Sequence, residues 1–128
     1  MILYEALGKG SYGVVRRALN KETMEYCAVK IMKRGNVSMM SQMDREVQAM
    51  KLLDHKNVVK LYDVFERGQD IFLVMELCGG GSLFEFLESK PLAPDVARYY
   101  YRQLVDGIDY CHSKVGPIAP FHHERQTF

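Results

Sequence analysis

The chain has 128 residues, 48% of them hydrophobic, which suits one ordinary domain and is too little for two. Its 17 basic and 16 acidic side chains leave a net charge of +1, so charge gives no reason to expect attraction to nucleic acid or an anionic membrane. The longest uncharged stretches, such as Ile71 to Met75 and Leu77 to Leu83, fall far short of a bilayer span, and Met1 to Gly10 lacks a signal-peptide apolar run. No nucleic-acid or membrane partner is expected, and the location expected is cytoplasmic, with the nucleus left open. Cys27, Cys78 and Cys111 are odd in number and widely spaced, which fits buried thiols in a reducing compartment. Cys111, His112, His122 and His123 lack paired-ligand spacing, so no metal site is assigned.

Two apolar-rich segments, Tyr4 to Gly8 and Val14 to Leu19, flank a glycine-rich turn, and Asn20-Lys21-Glu22-Thr23 makes a polar turn before Tyr26 to Met32. Three antiparallel strands are expected. Alternation in the third puts Ala28 and Lys30 on one face and Cys27, Val29 and Ile31 on the other, one face for a core and one to line a cleft. From Met39 to Leu53 the period becomes helical, with Met39, Met43, Met50 and Leu53 as its stripe, Glu46 on that stripe, and Ser41 and Asp44 resembling a capping pair. Leu61 to Phe65 and Ile71 to Glu76 alternate as strands around Arg67-Gly68-Gln69-Asp70, completing about five strands and one helix. Gly79-Gly80-Gly81 reads as a hinge. Ser82 with Glu85 forms a capping-box pattern for a helix to about Glu88, and Pro94 opens a longer one with Val96, Tyr100, Leu104, Ile108 and Cys111 as its stripe.

Gly8-Lys9-Gly10-Ser11-Tyr12-Gly13 is weak as a lone motif, because dinucleotide-binding folds share its spacing. Those folds place a helix straight after the glycines, whereas Val14-Val15-Arg16-Arg17-Ala18-Leu19 is β-rich. A strand-turn-strand flap fits better. Without side chains in the way, its backbone N–H groups can approach phosphate oxygens, with Val15 over a base. Lys30 on an apolar strand and Glu46 on an apolar helix stripe are each, taken singly, ordinary solvent-reaching side chains. Together they suggest an ion pair in which Glu46 orients the Lys30 ammonium toward phosphate.

The order glycine loop, Ala28-Val29-Lys30, then Glu46 resembles the small lobe of the eukaryotic protein-kinase family. Further matches are Glu46-Val47, His55-Lys56-Asn57-Val58-Val59-Lys60-Leu61-Tyr62, and Leu73-Val74-Met75-Glu76-Leu77-Cys78 followed by glycines. The wording is nearest to serine/threonine kinases of the calmodulin-dependent and energy-sensing kinds, and the resemblance covers residues 4 to about 114. It implies an α+β fold, a five-stranded antiparallel sheet plus one helix, followed by the first helices of an incomplete helical large lobe. Residues 1–78 would be the ATP-binding lobe, 79–114 the hinge and first large-lobe helices, and 115–128 a divergent tail. It implies that Leu7, Gly8, Lys9, Gly10, Ser11, Tyr12 and Gly13 wrap the nucleotide, that Val15 and Ala28 cover the base, and that Lys30 holds phosphate. Met75 becomes the gatekeeper, Glu76 and Cys78 supply backbone hydrogen bonds to adenine, Ser82 contacts ribose, and Met50 and Leu61 are regulatory-spine positions.

Two departures limit the resemblance. Many relatives carry a glutamate where this chain has Ser82, and a hydroxyl cannot balance a substrate guanidinium. After Tyr110-Cys111-His112-Ser113-Lys114 the family continues into His-Arg-Asp, whereas here Val115-Gly116-Pro117-Ile118-Ala119-Pro120 follows and no aspartate occurs beyond Asp109. His122-His123-Glu124-Arg125 has the wrong order for that loop, and Asp-Phe-Gly and Ala-Pro-Glu are absent. Phosphoryl transfer needs those carboxylates for its metal and its nucleophile. The expectation is therefore a chain cut short before its catalytic loop, binding ATP weakly and inactive by itself, with magnesium belonging to the complete family domain. The protein substrate is undetermined. A short pseudokinase-like binding module is the alternative, and a nucleotide-binding lobe outside the family is disfavoured because five ordered motifs would have to coincide.

Overall fold

The structure is a computed structural model that describes residues 1–10 and 13–116. Five strands form one antiparallel sheet: β1 (Ile2–Gly10), β2 (Gly13–Leu19), β3 (Tyr26–Lys33), β4 (Leu61–Arg67) and β5 (Asp70–Glu76), in spatial order β1-β2-β3-β5-β4. Three helices complete the chain: α1 (Val37–Lys51), α2 (Leu83–Ser89) and α3 (Pro94–Val115). Among the described residues no helix is long and apolar enough to cross a membrane.

The elements divide between two units, one holding Met1–Lys51 with Lys60–Leu77, the other Leu52–Val59 with the chain from Cys78. In the first unit, β-branched and aromatic residues fill the strands, and polar residues close the turns. The β4–β5 hairpin is tight, with Arg67 opposite Asp70 and Gly68 at φ 63, a conformation glycine adopts without penalty. Alternation gives the sheet two apolar faces. Ala18, Cys27, Val29 and Val74 cluster on one with Ile31 and Phe72, while Met32, Leu61 and Leu73 on the other pack with Val47 of α1, joined by Met43, Met50, Val64 and Met75. The face expected to be free for a cleft is therefore partly covered by a helix.

Helix α1 begins two residues before the expected start. Its first turn is capped by Asn36, whose Oδ1 accepts the Met39 N–H at 2.9 Å, so Ser41 and Asp44 lie inside the helix rather than at its cap. The buried stripe also differs from the one expected: Val47 is buried and Met39 is 49% exposed. Val47 lies four residues after Met43 and three before Met50, so it completes the stripe that meets the sheet.

In the second unit, α2 has the expected cap. Ser82 Oγ accepts the Glu85 N–H, and Glu85 Oε2 accepts the Ser82 N–H, both at 3.1 Å. Helix α3 buries Gly107 and Cys111, whereas Val96 and Ile108 of the expected stripe are 37% and 45% exposed. Its covered side is the one that receives the turn at 54–57. The Asp54 N–H donates to Tyr110 Oη at 2.9 Å, Asn57 Nδ2 donates to Gln103 Oε1 at 3.1 Å, and the His55 ring stacks on Tyr110 with centroids 4.8 Å apart. Gly107 permits this approach: a Cβ there would stand 3.0 Å from the Asn57 carbonyl oxygen.

Candidate nucleotide-handling site

The first unit brings four of the expected residues to one face. Val15 lies opposite Lys30, and Lys30 opposite Leu73; two residues along, Arg17 lies opposite Ala28, and Ala28 opposite Met75. Directly paired residues in an antiparallel sheet share a face, so Val15, Ala28, Lys30 and Met75 form one surface. The β1–β2 hairpin lies alongside this row, with Gly8 paired to Val15, Lys9 to Val14 and Gly10 to Gly13. Ser11 and Tyr12 lie outside the described residues, as do His122 to Arg125.

The glycines differ in kind. Gly13 has φ 144, and a Cβ on it would come within 2.0 Å of the Ile31 carbonyl oxygen, so only glycine lets β2 start against β3. Around Gly10 a Cβ would meet nothing within 4 Å. That side of the hairpin is open to a bulky anion, and a hairpin whose backbone is bare of side chains suits phosphate oxygens.

Lys30 is half-buried and Glu46 is exposed, and among the described residues the structure forms no ion pair between them. The expected pairing is thus not made in this arrangement. Met43, Val47 and Met50 define the side of α1 that meets the sheet, which leaves Glu46 on the flank of that stripe. Two charges that both reach water gain little from pairing, so burial of the methionines sets the helix rotation. Met50 packs against the cluster that contains Leu61, as does Met75.

Glu76 stands at the end of β5, where its N–H donates to the Lys60 carbonyl at 2.9 Å and its Oε2 accepts the Lys60 N–H at 3.3 Å. Cys78 and Ser82 belong to the second unit. The Ser82 oxygen is occupied as a helix cap, although its O–H remains a donor. The sequence reading overlooked Arg17, two residues beyond Val15 and on the same face. Its guanidinium lies over both the Tyr4 and Tyr26 rings, 5.2 and 4.9 Å from their centroids, and pairs with Glu5 at 2.9 Å. Backbone hydrogen bonding, helped by Arg17, holds the Glu5 carboxyl below its ordinary value against a smaller opposing effect of desolvation. Alternation along β2 was the signal that could have found it.

Among the described residues no three His, Cys, Asp or Glu side chains converge as a cation site. Among the described residues, the Lys30 ammonium and the backbone N–H groups of the glycine hairpin are groups that can meet phosphate oxygens. A shallow concavity of about 570 Å³, lined by Val37, Met40, Ser41, Asp44, Arg45 and Gln48, runs along α1 and contains none of these residues.

The protein kinase domain model matches residues 2–118. Calcium-dependent protein kinase 5 of Plasmodium berghei is 39% identical over 109 residues, 84% of this chain and 19% of that protein. CBL-interacting serine/threonine-protein kinase 8 of Arabidopsis thaliana is 40% identical over 116 residues, 88% of this chain and 26% of that protein. CBL-interacting serine/threonine-protein kinase 9 of the same plant is 40% identical over 112 residues, 84% and 25% respectively. The chain thus spans about a fifth to a quarter of the length of these relatives.

Proposed function

We propose, since the chain belongs to the protein kinase family, that it is the ATP-holding portion of a serine/threonine kinase domain. The reaction served is transfer of the ATP γ-phosphoryl group to a serine or threonine hydroxyl of a protein. The observation that carries this reading is the shared face of Val15, Ala28, Lys30 and Met75, with the glycine-bearing β1–β2 hairpin paired alongside it.

In this reading Val15 and Ala28 cover the base beside Met75, the Lys30 ammonium holds phosphate oxygens, and Glu46 orients Lys30 when α1 turns. Leu7 to Gly13 wrap the phosphates, Glu76 and Cys78 offer backbone groups to adenine, and Ser82 offers its hydroxyl to ribose. Residues 1–78 form the nucleotide-binding lobe and 79–114 the start of the helical lobe, with the protein acting in the cytoplasm. Bound magnesium would supply charge neutralisation between phosphates, and no residue group described here is assigned to it. The 128 residues include no aspartate after Asp109 to serve as base, so these residues alone transfer nothing.

Calorimetric titration with ATP tests the reading. Weak binding, in the range of about 0.1–1 mM, is expected for a site held from one face. Lys30→Met should abolish it with the fold intact; an unchanged isotherm would place binding elsewhere, and tight magnesium-dependent binding would contradict a site held from one face.

A further inference from the structure

The turn at 54–57 is built around a histidine whose two ring nitrogens face different groups. Nδ1 of His55 accepts the Asn57 N–H at 3.0 Å, and Nε2 lies 3.5 Å from Asp106 Oδ2. A neutral imidazole has one N–H and one acceptor nitrogen. With Nδ1 accepting, the hydrogen of the neutral ring is on Nε2, the nitrogen nearer the Asp106 carboxylate.

We propose that His55 is a proton-sensitive clasp, holding the turn on α3 while Nδ1 is unprotonated and releasing it when Nδ1 gains a proton. Protonation places an N–H at Nδ1 against the Asn57 N–H, two donors at hydrogen-bond distance with no acceptor between them.

The groups around the ring divide. From α3, the Asp106 carboxylate and the stacked Tyr110 ring favour a cation, while Lys114, 5.8 Å from the Tyr110 centroid, disfavours it. Within the turn, Asp54 and Lys56 flank His55 with opposite charges. Asp106 is 56% exposed, so its attraction is screened by water, and its side chain can follow a ring that swings outward. The Asn57 N–H has the ring nitrogen as its acceptor, and a proton on that nitrogen removes the acceptor. The turn has little in reserve, because among the described residues Asn57 Oδ1 is buried without a hydrogen-bond partner. The Val58 N–H, which donates to the His55 carbonyl at 3.0 Å, opens with it. Release frees the segment that joins α1 to β4.

The experiment uses the whole chain labelled with ¹⁵N, between about pH 8 and about pH 5, where imidazoles titrate. Long-range ¹⁵N correlations read the His55 tautomer, and amide exchange, corrected for intrinsic rates, reads the turn. Expected are the Nε2–H tautomer at the upper pH and a fall of roughly tenfold or more in Asn57 and Val58 protection at the lower, with mid-α3 amides unchanged. Asp106→Asn should keep that fall, and His55→Phe, which retains a ring without an acceptor, should leave the turn unprotected throughout. The Nδ1–H tautomer, protection that is unchanged or increased in acid, a fall shared equally by α3, or a fall abolished by Asp106→Asn would each overturn the proposal. The first two of these need no variant to fold.

Discussion

At the residue scale, the glycine hairpin shows that a motif's members are not equivalent. Gly13 stands where a Cβ would meet the Ile31 carbonyl oxygen at 2.0 Å, in a backbone region closed to other residues, whereas Gly10 faces open space. Gly13→Ala should destabilise the first unit by at least about 2 kcal/mol, from left-handed strain and displacement of β3. Gly10→Ala should stay within about 1 kcal/mol. Urea unfolding of both variants checks this, and equal losses would show that the close approach at Gly13 is not what holds the hairpin. Lys30 and Glu46 teach the complementary lesson. The sequence motifs lead one to expect both in one phosphate-handling set, but whether they touch depends on the rotation of α1, and that is decided by Met43, Val47 and Met50.

At the element scale, local signals read well wherever the stabilising partner is near in sequence. The capping box of α2 was legible because Ser82 and Glu85 are three residues apart and satisfy each other's backbone N–H groups. Helix α2 is seven residues long and has no buried residue, so its cap is a large share of what holds it. Ser82→Ala should cost about 1 kcal/mol of local stability and raise amide exchange across Leu83 to Ser89, with the β-sheet amides unaffected. If exchange in α2 stays at its original rate, the cap is not what holds the helix. The start of α1 was harder to place, since Asn36 and Ser41 both suit a cap by composition. Asn36 takes the position because a helix starting there presents the complete Met43, Val47 and Met50 stripe to the sheet. For α3, the Val96-to-Cys111 stripe was sound as a helix signal and inaccurate as a list of buried residues. The turn at 54–57 lands over Gly107, a residue without a side chain and therefore invisible to an apolar-periodicity reading.

At the scale of the whole molecule, the two units each bury one thiol. Desolvation raises Cys27 in the first and Cys111 in the second above the ordinary thiol value, a nearby N-terminal charge opposing it slightly at Cys27. The sign follows from linkage. Below the ordinary thiol value both states are protonated and nothing changes; as pH rises past it, the unfolded thiols ionise first, so folding stability falls. Urea midpoints should therefore drop on the alkaline side, and Cys27→Ala should flatten part of that slope; a slope unaltered by the substitution would remove Cys27 as a cause. A thiol reagent at neutral pH should label Cys78, which is half-buried, well before the other two. Rapid native labelling of Cys27 or Cys111 would contradict their burial.

The sequence by itself determined the strand and helix order, the family, the alternation that sends Ala28 and Lys30 to one face, and the α2 cap. All of these depend on periods and pairings that a few adjacent residues settle. Tertiary structure alone decided that both faces of the sheet carry apolar clusters, that Glu46 and Lys30 form no ion pair among the described residues, that Arg17 lies against two tyrosines, and that His55 meets Asp106 and Tyr110. Each of those depends on residues distant in sequence meeting in space, where the rotation of a helix or the docking of a turn follows from total buried area and no local pattern records it.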